Sequence, residues 1–305
     1  MNTITTSATA TATASAPAGP AAFRRASKGF WHTVGRRLAR DPITMICAVI
    51  LLLIVLAAVF APWLGLDDPF KQSMARRLKP FGYQGHWLGT DELGRDMLSR
   101  LVFGARMSLF TGFVPVALAT LIGGSLGVVA GYAGGRVNMV IMRCIDVFYA
   151  FPSVLLAVAI SGFLGSGQVN GLVSLTLVFV PPVARISESV TTRVRNEDFV
   201  EAARATGAPT LSILFTHVLS NVLGPILVYA SSLISVSIVI ASGLSFLGLG
   251  VTPPNAEWGL MLSTLRQAIY VAPLTAILPG AMIFITSMCF SLMSDGLRNA
   301  MDVKV

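Results

Sequence analysis

The chain has 305 residues, of which 54% are apolar and only 12% are charged, whereas a soluble domain carries about 25% charged residues. No charged residue lies between Arg204 and Glu257 or between Arg266 and Asp295, and such segments cannot form a surface in water. Because a span needs roughly 20 apolar residues, we expect an all-α, polytopic membrane protein with about six transmembrane helices. The net charge of +8 lies mostly in loops and near helix ends. It therefore indicates membrane orientation and not nucleic-acid binding.

Residues 1–40 are predicted to form a disordered and then basic cytoplasmic segment. The first 22 residues are almost entirely Thr, Ala, Ser, Gly and Pro and carry no charge, a composition that cannot build a core. The first transmembrane helix is assigned to 41–63, where Asp41-Pro42 provides a helix start. Six basic residues precede it and place the N-terminus in the cytoplasm; they are Arg24, Arg25, Lys28, Arg36, Arg37 and Arg40.

The polar loop 64–104 is then expected outside the cell membrane. It carries six Lys or Arg residues, or seven with Arg106 at its edge, which conflicts with a simple count of positive charge. Because the first helix usually sets the orientation, the N-inside topology is retained. The remaining core is assigned to 105–295 and the cytoplasmic C-terminus to 296–305. Within the core we expect spans at about 107–130, 139–164, 169–186, 218–248 and 272–294.

Proline and glycine residues predict where two of these spans end, bend or break. Proline removes a helix hydrogen bond, so Pro181-Pro182 is expected to end or bend the fourth span. The fifth apolar run, Val218–Gly250, has 33 residues without a charge and would be about 50 Å long as a straight helix. It must tilt, extend past the membrane or break. The expected break points are Gly224-Pro225 and the glycine-rich end Ser242–Gly250.

Two patterns inside the spans allow more than one interpretation. Gly123, Gly127 and Gly131 recur every four residues, which puts them on one helix face and lets another backbone approach closely. They could also be ordinary membrane-helix glycines. Arg143 and Asp146 lie three residues apart on one face. An intramembrane charge suggests function, but this pair can also neutralise itself and reach the interface.

The sequence contains no recognisable catalytic constellation. His32, His86 and His217 fall in different segments, and the three cysteines Cys47, Cys144 and Cys289 have no metal-ligand or CxxC spacing. No zinc-protease motif, nucleophile elbow or Walker A loop is present. The chain is therefore expected to be neither an enzyme nor an ATP-binding protein, with no cofactor and no metal site.

The most informative polar segment is Asn196–Gly207, NEDFVEAARATG. Asn196 is a suitable N-cap, acidic residues follow in the first turn, and Gly207 predicts the C-terminal stop. Phe199, with Val200 and Ala203, offers a small apolar contact. A helix this short needs a partner surface, so it could lie in a groove on another protein. The alternative is an ordinary surface turn between spans.

This segment resembles the EAA loop of ABC importer permeases. Glu201-Ala202-Ala203, three residues and then Gly207 match the EAA-xxx-G pattern; of the I-x-L-P that usually follows in that family, only the Leu is kept, at Leu219. In that family the loop forms the coupling helix that binds the ATPase subunit. The resemblance therefore implies ATPase coupling through the following residues: Asn196, Asp198, Phe199, Glu201, Ala202, Ala203 and Gly207.

Three further strings narrow the resemblance to the C-type permease of dipeptide, oligopeptide and nickel importers, over about residues 35–302. They are HWLGTDELGRDMLSR at His86–Arg100, LSFLGLGVTPPNAEWGL at Leu244–Leu260 and SDGLRNAMD at Ser294–Asp302. The resemblance implies the ABC transmembrane type-1 fold in a bacterial inner membrane, with both termini cytoplasmic. It also implies a heterodimer with a B-type permease, two cytoplasmic ATPases and an external solute-binding protein, but no nucleic acid.

The substrate and two rival functions stay open at this point. Peptide is the first expectation, with nickel, glutathione, opines or other small solutes as alternatives, and the substrate-binding residues are unknown. An ATP-independent secondary transporter would need paired charges at the bilayer midplane, which the fifth and sixth spans lack. A non-transporting membrane scaffold is the third possibility.

Overall fold

The computed structural model describes residues 35–301, and the predictions for the N-terminal tail and the last four residues lie outside this range. Regular structure in the described range is helical, apart from two isolated β-bridges in the first loop. We number the helices in chain order. They are α1 Pro42–Phe60, α2 Met97–Ala133, α3 Gly135–Tyr149, α4 Ser153–Leu164, α5 Gln168–Arg195, α6 Asp198–Ala205, α7 Thr210–Phe246, α8 Trp258–Thr264 and α9 Pro273–Met301.

Five of these helices, α1, α2, α5, α7 and α9, are long and apolar enough to cross a membrane. Helices α3 and α4 pass the same test together but are bent by 85°, so they give a sixth, broken span. The prediction of an all-α polytopic protein with about six spans is therefore confirmed. The third span is not the straight helix over 139–164 that was expected. Pro152 disfavours helical backbone at Phe151 and lacks an N–H of its own, which accounts for the break.

Neither proline-containing segment ends its helix. Helix α5 continues through Pro181 and Pro182 to Arg195, and α7 continues through Pro225 to Phe246. Membrane helices tolerate proline where neighbouring groups or local adjustments satisfy the freed backbone carbonyls. The glycine-rich end of the fifth apolar run does terminate its helix, since Gly248 follows with a positive φ of 79°.

The most extensive helix contact joins α2 to α5. A methyl group built at Gly123 would lie 2.5 Å from the carbonyl oxygen of Val180, and one at Gly131 would lie 2.6 Å from that of Glu188. At Gly127, between them, it would lie 2.6 Å from Cβ of Ser187. No side chain fits at these distances, so the three glycines allow the two backbones to touch. We call this contact the glycine seam.

The α2 and α5 helices run parallel along the glycine seam, whereas α9 runs antiparallel to both α1 and α7, and the bundle has two distinct ends. Helix α1 lies beside α9, where Thr44 packs against Gly296, and α7 meets α9 through a 2.9 Å hydrogen bond between Ser231 and Ser294. Residues 35–41, α6 and the end of α9 therefore lie at one end, which we call the α6 end. Residues 64–96 and 247–272 lie at the other, the loop end.

One acidic residue at the loop end is paired with two arginines. The Asp91 carboxylate accepts from the Arg95 side chain at 2.6 Å and lies 3.2 Å from the guanidinium of Arg100. All three side chains are buried, and Arg100 also donates to the carbonyl of Pro69. The basic residues that complicate the charge count in this loop thus include two that neutralise an internal acid and hold the loop on α2.

Helix α8 closes the loop end by inserting Trp258 against α2. The indole is fully buried and donates to the carbonyl of Leu101 at 3.0 Å. Glu257 caps α8 by accepting from the backbone of Gly259 and Leu260 at 2.9 and 2.8 Å. Burial raises the pKa of the Glu257 carboxyl, and the two backbone N–H groups oppose that shift.

The glycine seam yields a direct test. Replacing Gly127 by Ala places a methyl group inside the contact with α5 and should destabilise the protein by about 1–3 kcal/mol, the usual cost of overpacking. Gly124→Ala is the matched control, because a methyl there lies 3.9 Å from its nearest neighbour, the Ser187 hydroxyl. Thermal unfolding in detergent should show a lower midpoint for Gly127→Ala only. Equal midpoints for the two variants would contradict the close contact.

Candidate functional site

Helix α6 is set off from the spans by a sharp change in backbone direction. Asn196 was predicted to cap it, but the structure places Asn196 at the C-cap of α5, where its N–H bonds back to Arg193 and Val194. Glu197 is the N-cap instead, with extended backbone and no side-chain capping bond. Asp198 and Glu201 then occupy the first turn, where the helix dipole favours acidic groups. The cap prediction was wrong by one residue because α5 extends further than the proline pair suggested.

Gly207 ends α6 in a Schellman motif. Its φ of 76° lies in the left-handed region, which only glycine adopts without strain. The N–H of Gly207 bonds to the carbonyl of Arg204 at 3.0 Å, and the N–H of Ala208 bonds to that of Ala203 at 3.3 Å. The chain thus turns away from α6 at once and enters α7 two residues later.

One face of α6 is anchored inside this chain. Val200 is fully buried, and Ala203 packs beside it at the edge of the same cluster. The cluster, which we call the α6 anchor, draws its buried members from α2, α6 and α7: Val128, Val200, Ile213, Val218, Val222 and Ile226. The sequence interpretation gave Val200 to a partner surface, whereas the structure uses it internally.

The opposite face of α6 is exposed. Phe199 has 43% of its surface accessible, and Asp198, Glu201, Ala202 and Ala205 are exposed around it. The face therefore combines one aromatic ring, two acidic groups and two alanines. Small side chains let a second surface approach the helix backbone, and an exposed ring can fill a pocket on that surface.

Polar contacts join the ends of the spans beside α6, and one of these contacts comes from α6 itself. Arg195 donates to the carbonyls of Gly131 and Tyr132 at 3.3 and 3.2 Å, which caps the end of α2. The guanidinium of Arg204 lies 5.8 Å from the centre of the Tyr132 ring. On the neighbouring side Asn138 donates to Glu188 of α5 at 2.6 Å. These contacts begin where the glycine seam ends, at Gly131, so the seam and α6 form one connected region.

Six of the seven sequence-predicted residues fall into three positions in this region. Asp198, Phe199, Glu201 and Ala202 share the exposed face, Ala203 lies at the anchor, and Gly207 closes the helix. Asn196 belongs to the preceding helix. Sequence reasoning missed the contributions of Arg195 and Tyr132. A basic residue in the last turn of a predicted helix would have been the available signal for Arg195.

The ion pair of Asp146 was predicted with the wrong arginine. Arg143 and Asp146 were expected to neutralise each other, but Asp146 is paired with Arg185 of α5. Arg143 is exposed and forms no ion pair with any residue in the range 35–301. The sequence spacing was compatible with the local pair, and only the packing of α3 across α5 selects the other one.

One cluster at the loop end has the composition of a metal site: Asp67, His86 and Asp96. His86 Nδ1 lies 2.9 Å from Asp96 Oδ1, and its Nε2 lies 3.3 Å from a guanidinium nitrogen of Arg76. The second carboxylate oxygen of Asp96 caps α2 by accepting from Ser99. Since both ring nitrogens have protein partners and a cation already lies beside them, the cluster is better explained as a network that holds the loop.

Comparison with known proteins agrees with this architecture. Residues 123–305 match the family model described as the binding-protein-dependent transport system inner membrane component. Residues 29–80 match the N-terminal TM domain of oligopeptide transport permease C. Among solved structures, an inward-facing MetNI methionine ABC transporter chain aligns with a TM-score of 0.56 and 20% identity, over 67% of this chain and 97% of that one. That likeness establishes the fold.

Curated relatives cover most of the chain. The glutathione transport system permease protein GsiD of Pectobacterium atrosepticum is 39% identical over 90% of this chain and 91% of its own length. The dipeptide transport system permease protein DppC of Alkalihalophilus pseudofirmus is 39% identical over 90% of each chain. The di/tripeptide permease DppC of Pseudomonas aeruginosa is 42% identical over 84% of this chain and 86% of its own length. With the family model spanning more than half of its residues, this chain belongs to the binding-protein-dependent transport system inner membrane components, as a C-type permease of the peptide and nickel ABC importers.

Proposed function

We propose that this permease forms half of the translocation pore of an ATP-driven importer for di- or oligopeptides. The observation that carries the substrate class is the naming of the relatives that cover most of the chain: dipeptide, di/tripeptide and glutathione permeases. Glutathione is itself a tripeptide, so one chemistry, a short chain of amide-linked residues with charged ends, is common to all three. Glutathione is therefore the second candidate substrate.

The proposed assembly contains four further subunits. A B-type permease completes the pore, two ATPases bind at the α6 end, and a solute-binding protein delivers substrate at the loop end. In this arrangement the α6 end is cytoplasmic and both chain termini lie on that side. The basic residues that precede α1, including Arg36, Arg37 and Arg40, support that orientation. The internal pairing of Arg95 and Arg100 with Asp91 removes part of the opposing charge at the loop end.

The geometry of α6 supports a coupling role. The exposed face with Phe199 is available to an ATPase, and Val200 ties the opposite face to α2 and α7. When ATP binding draws the two ATPases together, each would move the α6 that it holds. The α6 anchor would pass this displacement to the spans, which then rock from an inward-open to an outward-open arrangement. ATP hydrolysis belongs to the partner chains, and this chain contributes no catalytic residue.

The proposal is tested by reconstituting the five-subunit importer in liposomes with ATP inside. We expect uptake of a radiolabelled dipeptide that needs ATP, the binding protein and catalytically intact ATPases. Glutathione and Ni²⁺ are measured in parallel with the same binding protein. Peptide uptake that persists with inactivated ATPases would support a secondary transporter instead. Uptake of Ni²⁺ alone would retain the importer and overturn the peptide assignment.

The Schellman motif at Gly207 provides a test of coupling. No heavy atom lies within 4 Å of a methyl built there, but the positive φ strains any β-branched side chain. Gly207→Val should therefore distort the end of α6, at a cost of roughly 1–2 kcal/mol, and should reduce peptide uptake without preventing membrane insertion. The assay is uptake by cells in which the variant is the sole copy, with insertion checked by membrane fractionation.

Gly207→Asn is the matched control, because asparagine tolerates left-handed backbone better than valine does. It should retain more uptake than Gly207→Val at equal membrane abundance. Normal uptake by the valine variant would contradict the coupling role of this turn. Equal loss in both variants would show that the position needs space against a partner and not a particular backbone conformation.

A further inference from the structure

An ion pair lies at the break in the third span. Asp146, near the end of α3, is paired with Arg185 in α5. The side chains keep 40% and 48% of their surface exposed. The guanidinium of Arg185 also lies 5.2 Å from the centre of the Tyr149 ring. Two charges and an aromatic ring are thus presented together on an uncovered surface of the chain.

The position of this pair along α5 is inside the membrane-spanning segment. Arg185 comes 17 residues after Gln168 and 10 residues before Arg195, which corresponds to about 26 Å and 15 Å along the helix. Charged side chains that face lipid within a span are costly, so such groups normally face a bundle interior or a water-filled path. The exposed surface around Asp146 and Arg185 is therefore expected to face water in the assembled importer.

A cavity of about 280 Å³ adjoins the pair through Tyr149. It lies between the α3–α4 break, α5 and α7. Its wall is mostly aromatic and aliphatic, with Phe148, Tyr149, Phe151, Phe179, Leu233 and Val236 among the contributors. The ring of Tyr149 belongs to both features, because it borders the cavity and carries the guanidinium of Arg185.

We propose that Asp146, Arg185 and this aromatic cavity form a contact site for the peptide during translocation. The inference rests on the proposed function. Arg185 would bind the terminal carboxylate of the peptide, Asp146 its terminal ammonium group, and the cavity an apolar side chain. Without substrate the two residues neutralise each other. A zwitterionic peptide replaces each partner by a group of the same charge, so no ion in the membrane is left unpaired.

The chemistry of the site suits free dipeptides as a class and does not select one dipeptide sequence. The two charged groups recognise features that every free dipeptide carries, and the aromatic wall accepts side chains of different shape by dispersion and stacking. A broken span is also where transporters commonly place substrate contacts, because the interruption exposes polar groups at membrane depth.

The experiment compares a dipeptide with the same dipeptide carrying a C-terminal amide, in liposomes containing the complete importer. One binding protein, at saturation for each peptide, is used in every assay, so a change in the uptake ratio between permease variants comes from the permease. Arg185→Gln should lower uptake of the free dipeptide about tenfold, the value of one lost charge-assisted hydrogen bond. Uptake of the amide should change much less. The ratio of free-dipeptide uptake to amide uptake should therefore move toward one.

Three controls accompany this variant. Arg185→Lys retains the positive charge and should preserve most of the preference for the free carboxylate. Arg143→Gln removes an exposed arginine from α3 that lies outside the pair, and it should leave the ratio unchanged. Binding-protein-stimulated ATP hydrolysis is measured for each variant and should be retained, which shows that the importer is assembled and coupled.

The possible outcomes separate this inference from the proposed function. Wild-type importer that carries neither peptide overturns the proposed function and the contact site with it. Wild-type uptake with an unchanged ratio in Arg185→Gln overturns the contact site alone. An equal loss of both peptides also overturns it, because it shows that the ion pair supports the structure of the pore and not recognition of the carboxylate.

Discussion

The absence of side chains along one face of α2 is the constraint on which the rest of this structure depends. At Gly123, Gly127 and Gly131 the backbone of α5 approaches so closely that a single methyl group would collide with it. In a membrane the hydrophobic effect does not bring helices together, so such close packing is a main source of association. The seam fixes the position and rotation of α5. Helix α5 contains Arg185 of the ion pair and leads directly into α6, the two regions to which we assign a role.

The α6 end follows from that placement. Because the seam runs to Gly131, Arg195 reaches the last carbonyls of α2, and the chain must then reverse through α6 within two residues. Val200 anchors the short helix where a free helix of eight residues would not be stable. The α5 placement also brings Arg185 to Asp146 at the broken span. The same helix thus connects the exposed face of α6 with the Asp146–Arg185 pair at the broken span.

Much of this architecture could be predicted from the sequence, because hydropathy and glycine spacing are strong signals in membrane proteins. The apolar runs predicted the spans, and Gly207 predicted the end of α6. The failures share a cause. Proline at 181, 182 and 225 predicts a break when each helix is considered alone, but α5 and α7 continue through these positions, as membrane helices can where their surroundings satisfy the freed backbone groups. The Asp146–Arg185 pair and the burial of Val200 against α2 and α7 depend on contacts between distant segments. The spacing of residues along the sequence does not predict such contacts.

If Val200 makes α6 move together with the spans, shortening its side chain should uncouple transport from ATP hydrolysis. This is measured as the number of peptides transported per ATP hydrolysed in reconstituted importer carrying Val200→Ala, with Val239→Ala, an exposed position on α7, as the matched control. We expect Val200→Ala to lower this ratio while the ATPases stay bound and active, because truncation loosens the α6 anchor. A ratio equal to that of wild type and of Val239→Ala would contradict this role of Val200.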